Sequence, residues 1–350
     1  MKRRSFLKVV SGAAGGYALG AHTALSQAAT LPIPHISHPS GMPRRVLGRT
    51  GEQISIVGFP GLALLRHTQE ECDKGVRHAF EHGVNYYDVA PAYGKDGECE
   101  IKLGVSLQQL DRDKIFLACK TKARDAKGAR EELERSLKRL KTDHFDLYQL
   151  HHLWDPKDVD QALGPDGAME TVLKAKEEGK IRHIGFSAHT TKAALKVMKG
   201  FRFDTVMFPI NFVEYYTIGF GKEVLELANE QGVAVLSIKP TSRGRWPEGV
   251  EQTRKWWYRS METQPEIDMA VRWALSQPGV VAGVPISFLD VFDKVIVAGK
   301  TYQPVTLPET TELQSLAANS LSVFKREEDR VASAGPYAPI YPDSPYEDCP

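Results

Sequence analysis

The chain is poor in the features that would assign it to several common classes. It has four cysteines in 350 residues. Cys72, Cys99, Cys119 and Cys349 form no Cys-x-x-Cys pair and have no histidines at zinc spacing. Neither a structural zinc nor a disulfide framework is expected, and buried thiols are the simplest reading. Net charge is +1, from 45 basic and 44 acidic residues, which gives no basic footprint for nucleic acid. Gly12, Gly15, Gly16, Gly20 and His22 interrupt the most apolar N-terminal stretch, so no stable membrane span is expected where one needs about 20 apolar residues. No G-x-G-x-x-G follows a β-type run and opens a helix, so no open dinucleotide-binding fold is signalled by that route.

The charge that is present is unevenly placed. Residues 1–30 carry Lys2, Arg3, Arg4 and Lys8 and no acid. Arg3-Arg4-Ser5-Phe6-Leu7-Lys8 resembles the twin-arginine export consensus, and a weakly apolar stretch runs from Val9 to Thr23. Ala24-Leu25-Ser26 or Ser26-Gln27-Ala28 would suit a small-residue peptidase. Residues 1–28 are expected to be a signal read by the twin-arginine translocation machinery, with a periplasmic or otherwise exported destination. Without those four cations 41 of the 45 bases face 44 acids, so the mature chain would be mildly acidic. Residues 29–43 hold Pro32, Pro34, Pro39 and Pro43 and read as a linker.

An alternation then begins. Apolar, β-branched runs occur at Ile54–Phe59, Val84–Val89, Ile115–Cys119, Phe145–Leu150, Ile181–Phe186, Thr205–Pro209, Val233–Ile238 and Val280–Val284. Helix-period segments lie between them. Thr68-Gln69-Glu70-Glu71 is a capping-box start that places Cys72, Val76, Ala79 and Phe80 on one face. Leu133, Leu137 and Leu140 repeat the pattern, and so do Met269, Trp273 and Ala274 before Pro278-Gly279. Strands alternating with helices imply a parallel sheet. Eight units predict an α/β fold closed into a (β/α)8 TIM barrel over residues 44–325, with a doubly wound open sheet as the alternative. Residues 241–263 are long for a connection and carry Arg243, Arg245, Arg254, Lys255 and Arg259 beside Trp246, Trp256, Trp257 and Tyr258. They are either a functional loop or a short surface helix with tryptophans in the core. Residues 326–350, rich in Pro and Tyr toward the end, are expected to be an irregular C-terminal tail.

Barrel strands aim their carboxyl ends at one face, where active sites sit. Asp88, Lys120 and His151 each end a predicted strand, and Tyr93 follows on the loop after Asp88. A phenol, with a reference pKa of about 10, is protonated near neutrality and can donate to a carbonyl oxygen. A nearby ammonium stabilises the phenolate. Asp88 would hold the Lys120 cation, since a buried unpaired ammonium is costly. His151 would orient the substrate oxygen and help relay the proton. His151-His152 could suggest a metal, but no third ligand stands at a useful spacing.

With these residues in place, the chain resembles the aldo-keto reductase family from about Arg44 to Ala298. MPRRVLGRTGEQISIVGFPG looks like the family's N-terminal β-hairpin and first strand. GVNYYDVAPAYG, FLACK, DLYQLHH and IRHIGFSAH match its second to fifth strands. The resemblance implies the catalytic set Asp88, Tyr93, Lys120 and His151 and a nicotinamide cofactor, NADP(H) with NAD(H) as the alternative. It also implies cofactor contacts at Ser187, Asn211, Ile238, Lys239 and Ser287. Ala188 replaces the usual Asn, Asn211 the usual Gln, and Ile238 the usual stacking aromatic. The family's basic residues after strand eight are missing; Lys294 is a candidate replacement, and Arg243 or Arg245 could clamp the pyrophosphate.

The expected function is hydride transfer between nicotinamide and an aldehyde or ketone, or the matching alcohol, with Tyr93 as proton donor and a small molecule as partner. The alternative is an exported ligand- or cofactor-binding barrel with little or no turnover. A metal-assisted hydrolase is a third, weaker reading. Substrate choice would lie in the loops at Leu62–Arg66, Trp154–Pro165 and 241–263 and in the tail.

Overall fold

A computed structural model describes residues 33–333 of the chain. The expected export signal and its expected cleavage sites, Cys349 and most of the expected tail lie outside the described residues.

The described chain opens with an antiparallel hairpin, β1 (Arg44–Val46) and β2 (Gln53–Ser55), in which Arg45 faces Ile54. Eight parallel strands follow: β3 (Gly58–Pro60), β4 (Tyr86–Asp88), β5 (Phe116–Thr121), β6 (Phe145–Leu153), β7 (Ile181–Ala188), β8 (Thr205–Pro209), β9 (Ala234–Ile238) and β10 (Val280–Val284). Each pairs with its sequence neighbours. Gly283 N donates to Ile56 O at 2.9 Å, and Val57 bridges Gly283 in parallel. The sheet therefore closes on itself as the predicted (β/α)8 barrel, and the open-sheet alternative falls. The predicted first run, Ile54–Phe59, divides between β2 and β3. The break is local: Ser55 Oγ donates to Val57 O at 2.7 Å, and Asn85 Oδ1 takes the Ser55 amide at 2.7 Å.

Parallel strands covered on both faces need apolar residues on both faces. Inside, Tyr86, Phe116, Leu147, Met207, Leu236 and Val281 form one cluster with Leu47 and Ile54 of the hairpin, which caps the end where strands begin. Outside, helices pack by the expected stripes. Thr68 and Glu71 form the capping box that starts the helix Gln69–Glu81. Leu133, Leu137 and Leu140 are the buried face of Ala126–Leu140. Trp273 of the helix Gln264–Leu275 is buried and donates its indole N–H to Tyr216 Oη at 2.8 Å. Arg45 fastens the hairpin to this shell through Leu275 O at 2.8 Å, Val280 O at 2.7 Å and Tyr302 Oη at 3.1 Å.

Two segments differ from expectation. Residues 241–263 contain no helix; a Ser242–Ser260 bridge closes their base, and Trp256 and Tyr258 are buried. Residues 326–333, placed in the irregular tail, belong to a helix, Lys325–Ser333. It docks where Glu328 Oε1 accepts the Thr191 amide at 2.7 Å and Arg330 lies over Trp154 at 4.1 Å. Cys72, Cys99 and Cys119 are buried free thiols, as expected. Among the described residues no helix is long and apolar enough to cross a membrane, and no group of three or more His, Cys, Asp or Glu could hold a metal.

Candidate active site

The end of the barrel where strands finish holds a cavity of about 40 Å³. Asp88, Tyr93 and His151 line it with Ser187, Ile238, Lys239 and Ser287. A larger cavity, about 580 Å³, opens at the other end between the hairpin and the starts of β5 and β6. Volume alone would favour that one. Its lining mixes Arg44, Lys114 and Arg182 with Glu52, Asp113 and Asp146, and barrel chemistry belongs at the opposite face.

β4 ends in Asp88 and β5 carries Lys120 beside it. Lys120 is fully buried and donates from Nζ to Asp88 Oδ2 at 2.5 Å and to Val89 O at 3.2 Å. Tyr86 Oη donates to Asp88 Oδ1 at 3.3 Å. It stands two residues before Asp88 in the same strand, so the pleat puts both on the inner face. Sequence reasoning passed over Tyr86 although that spacing could have marked it. Burial pushes the Asp88 carboxyl above its ordinary range, against the pull of Lys120 and Tyr86.

Tyr93 lies over the pair, with Lys120 Nζ 5.2 Å from its ring centroid. Its ring meets that of His151 edge-on at 5.8 Å and 78°. A bulge in β6 aims His151. Between Leu150 and Leu153 the register against β7 slips, and His152 takes a left-handed backbone at φ +57°. Ser187 Oγ accepts the His152 amide at 2.8 Å and so fixes the bulge. Burial first, and then the Lys120 charge, holds His151 well below the ordinary imidazole range. Burial brings His152 to about 3. His151 is thus neutral near pH 7, which suits orienting an oxygen better than relaying a proton as an acid.

Lys239 is buried, with φ +58°, and its Nζ lies 3.3 Å from His189 Nε2 and over the Trp257 ring at 5.4 Å. His189, Trp256, Trp257 and Tyr258 complete the wall. His189 was not singled out from sequence; its place just after β7 was the available signal. Asn211 and Arg243 are not among the residues that line the cavity. Asn211 is fully buried and caps the helix Phe212–Ile218, its Oδ1 accepting the Glu214 amide at 3.1 Å. Arg243 turns outward to Glu266 at 3.2 Å. Lys294, the candidate replacement, donates to Glu262 O at 2.6 Å.

Comparison with known proteins follows this geometry. Residues 60–289 match the model of the Aldo/keto reductase family. The chain is 33% identical over 184 residues to an aldo-keto reductase of Bacillus subtilis, covering 48% of this chain and 51% of that one. It is 26% identical over 218 residues to a probable aldo-keto reductase of Glycine max, covering 57% of this chain and 59% of that one. The match thus spans roughly half to three fifths of these curated relatives. A Bacillus halodurans aldo-keto reductase in its holo form superposes with TM-score 0.64 at 23% identity, covering 82% of this chain and 99% of the other. A Klebsiella pneumoniae aldo-keto reductase in complex with NADPH gives TM-score 0.61 at 21% identity, covering 78% and 94%. At those identities the structural likeness bears on the fold, while the family match runs through the strands that carry Asp88, Lys120 and His151. The chain belongs to the Aldo/keto reductase family.

Proposed function

We propose that the chain is a nicotinamide-dependent carbonyl reductase, or the matching alcohol dehydrogenase in reverse, with Tyr93 as proton donor. The observation that carries this reading is the convergence of the Lys120–Asp88 pair, Tyr93 and His151 on one cavity. Neutral His151 orients the carbonyl oxygen of an aldehyde or ketone toward the Tyr93 hydroxyl. A bound nicotinamide supplies the hydride, two electrons and a proton's mass, to the carbonyl carbon. Tyr93 gives its hydroxyl proton to the oxygen as the carbon–oxygen double bond becomes single. The Lys120 ammonium stabilises the negative charge left on the Tyr93 oxygen, and Asp88 holds that ammonium in place through its hydrogen bond.

The residues suit the nicotinamide end of such a cofactor. Ser187, Ile238, Lys239 and Ser287 share the cavity with Tyr93 and His151. A cavity of about 40 Å³ is small beside the roughly 300–1,000 Å³ of ordinary ligand sites. Trp256, Trp257 and Tyr258 form one wall of the same cavity. NADP(H) is the proposed cofactor, supported by the NADPH-bound Klebsiella neighbour. NAD(H) is the alternative, because Lys294, the candidate basic contact after β10, is tied to Glu262 O. Mixing the purified protein with NADPH or NADH and a panel of carbonyls, and following nicotinamide absorbance, tests both points. Cofactor binding with no turnover on any carbonyl would favour the non-catalytic binding barrel.

We further infer export by the twin-arginine route to the periplasm, on the strength of Arg3-Arg4-Ser5-Phe6-Leu7-Lys8. Replacing both arginines by lysine should retain the chain in the cytoplasmic fraction; unchanged export would refute the route.

A further inference from the structure

In the proposed reaction His151 orients the carbonyl oxygen, yet its own ring is held by few contacts. Nδ1 is buried and has no hydrogen-bond partner among the described residues. No group behind the ring therefore sets its angle, as a hydrogen bond to the second nitrogen would. The rings of Tyr93 and His152 meet it edge-on, with centroids at 5.8 and 6.2 Å. The aim of His151 is thus chiefly a property of the backbone on which it stands. That backbone is strained. His152 takes φ +57° where the register of β6 slips, a region unfavourable to a residue with a Cβ. Such a conformation persists only where its surroundings over-determine it. Both sides of His152 are held. Its amide donates to Ser187 Oγ at 2.8 Å, and its carbonyl accepts from Arg124 Nη2 at 3.0 Å. Arg124 Nη1 donates to Lys122 O at 3.0 Å. The Arg124 side chain is only 12% exposed, with Asp158 Oδ2 3.6 Å from Nη2. The loop that carries it is set by Glu132, whose Oε2 accepts the Thr121 hydroxyl at 2.6 Å and the Lys122 amide at 2.8 Å. Arg124 is not among the residues that line the cavity.

We propose that Arg124 is a positioning residue: it clamps the His152 carbonyl opposite Ser187 and so fixes where His151 points. The proposal rests on the functional reading above, in which His151 holds the carbonyl oxygen. A guanidinium suits the task because its nitrogens point in fixed directions and reach two carbonyls at once. One of those carbonyls, Lys122 O, follows β5 two residues after Lys120; the other, His152 O, comes one residue after His151. The clamp thus ties the strand that carries the ammonium beside Tyr93 to the strand that carries the imidazole. A lysine at this position would reach either carbonyl but not both. Without the guanidinium, His152 is tethered on its amide side alone, and the bulge is free to relax toward regular strand backbone. Side chains alternate between faces along a strand, so a slip of one residue swings His151 away from the mouth.

A double-mutant cycle on the full chain tests the clamp. Arg124→Met should lower kcat for a carbonyl roughly 10- to 100-fold, the scale of a misplaced contact. Its dissociation constant for NADPH should change by less than about threefold. In a His151→Ala background the same substitution should change kcat by less than about twofold, because the residue through which Arg124 acts is gone. An equal fall in both backgrounds makes Arg124 merely structural and overturns the proposal. An unchanged kcat in Arg124→Met alone, or a loss confined to NADPH binding, does the same. Should that variant not fold, Arg124→Lys takes its place in the cycle. There kcat should fall by at least about threefold, and only where His151 is present; any other pattern is equally fatal. Magnetic resonance of isotope-labelled histidine separates the clamp from the functional reading. The His151 ring signals, identified by their loss in His151→Ala, should shift or broaden in Arg124→Met, while those of His183 at the start of β7 stay in place. Unmoved His151 signals overturn the clamp whether or not any carbonyl is turned over. Absence of turnover in the native protein would sink the functional reading and leave the spectrum to decide the clamp.

Discussion

Two buried cations sit at opposite ends of the barrel and are satisfied in different ways. Arg45, below the strands, meets only neutral acceptors: Leu275 O, Val280 O and Tyr302 Oη, with the Tyr302 ring 5.2 Å from its guanidinium carbon. Lys120, above, meets a carboxylate at 2.5 Å and has a phenol ring within 5.2 Å. A planar guanidinium spread over carbonyl dipoles is a fastening that does not titrate in the working range. A compact ammonium between a carboxylate and a phenol is a charge held ready to act on a neighbour. One end of the fold secures the shape, and the other holds groups able to exchange protons.

The sharpest way to break that contrast is Tyr93→Phe. It removes a hydroxyl at the mouth and leaves the packing. Turnover should fall by about 2–4 orders of magnitude, while the denaturant midpoint should shift by less than about 0.5–1 kcal/mol equivalent. Loss of stability on the same scale as loss of rate would make Tyr93 a packing residue.

Acid is the next largest perturbation and should act on the mouth alone. Burial depresses His152 to about 3, below its unfolded value of about 6.5. Its contribution is therefore present above pH 6.5 and is lost as pH falls toward 3, by up to about 5 kcal/mol. Hydrogen exchange at mildly acid pH should show β6, β7 and their following loops losing protection before the Arg45 end. His152→Asn should push acid unfolding to lower pH.

Arg45→Met tests the opposite end. It leaves Val280 O without its Arg45 donor, at about 1–3 kcal/mol for a buried acceptor, and leaves Leu275 O with only the Tyr302 hydroxyl at 3.3 Å. Thermal unfolding should drop by a total of about 2–4 kcal/mol, while kcat per folded molecule stays within about twofold. A large fall in kcat with little loss of stability would mean that the two ends are coupled.

The same contrast explains what could be read from residues alone. The barrel was legible because its parallel strands are apolar on both faces, so the runs stand out between amphipathic helices. Asp88, Lys120 and His151 were legible because strand ends at one face are privileged positions. The fold brings them together with Tyr93 at one end of the barrel. What escaped was set by local geometry. The His151–His152 bulge depends on a hydrogen bond to Ser187, 35 residues away in sequence. Glu214 meets Ser322 across 108 residues of chain. Asn211 and Arg243 follow β8 and β9, where the one caps a helix through Oδ1 and the other pairs with Glu266. A residue type after a strand does not say which way its side chain turns.

Arg243 gives the smallest and most discriminating prediction. Its guanidinium and Glu266 are each about 30% exposed, 3.2 Å apart. Exposed pairs of this kind contribute about 0–1 kcal/mol, so Arg243→Ala should barely move the unfolding midpoint. If the outward orientation persists when a nicotinamide binds, affinity for NADPH should change by less than about threefold, or 0.7 kcal/mol. A pyrophosphate clamp would instead make a charge-assisted, bidentate contact, and its loss would weaken binding by tenfold or more. Fluorescence titration through Trp256 and Trp257, which line the cavity, reads this directly. A tenfold loss would show that the 241–263 loop turns its arginine inward on binding, and that the mouth rearranges where the Arg45 end does not.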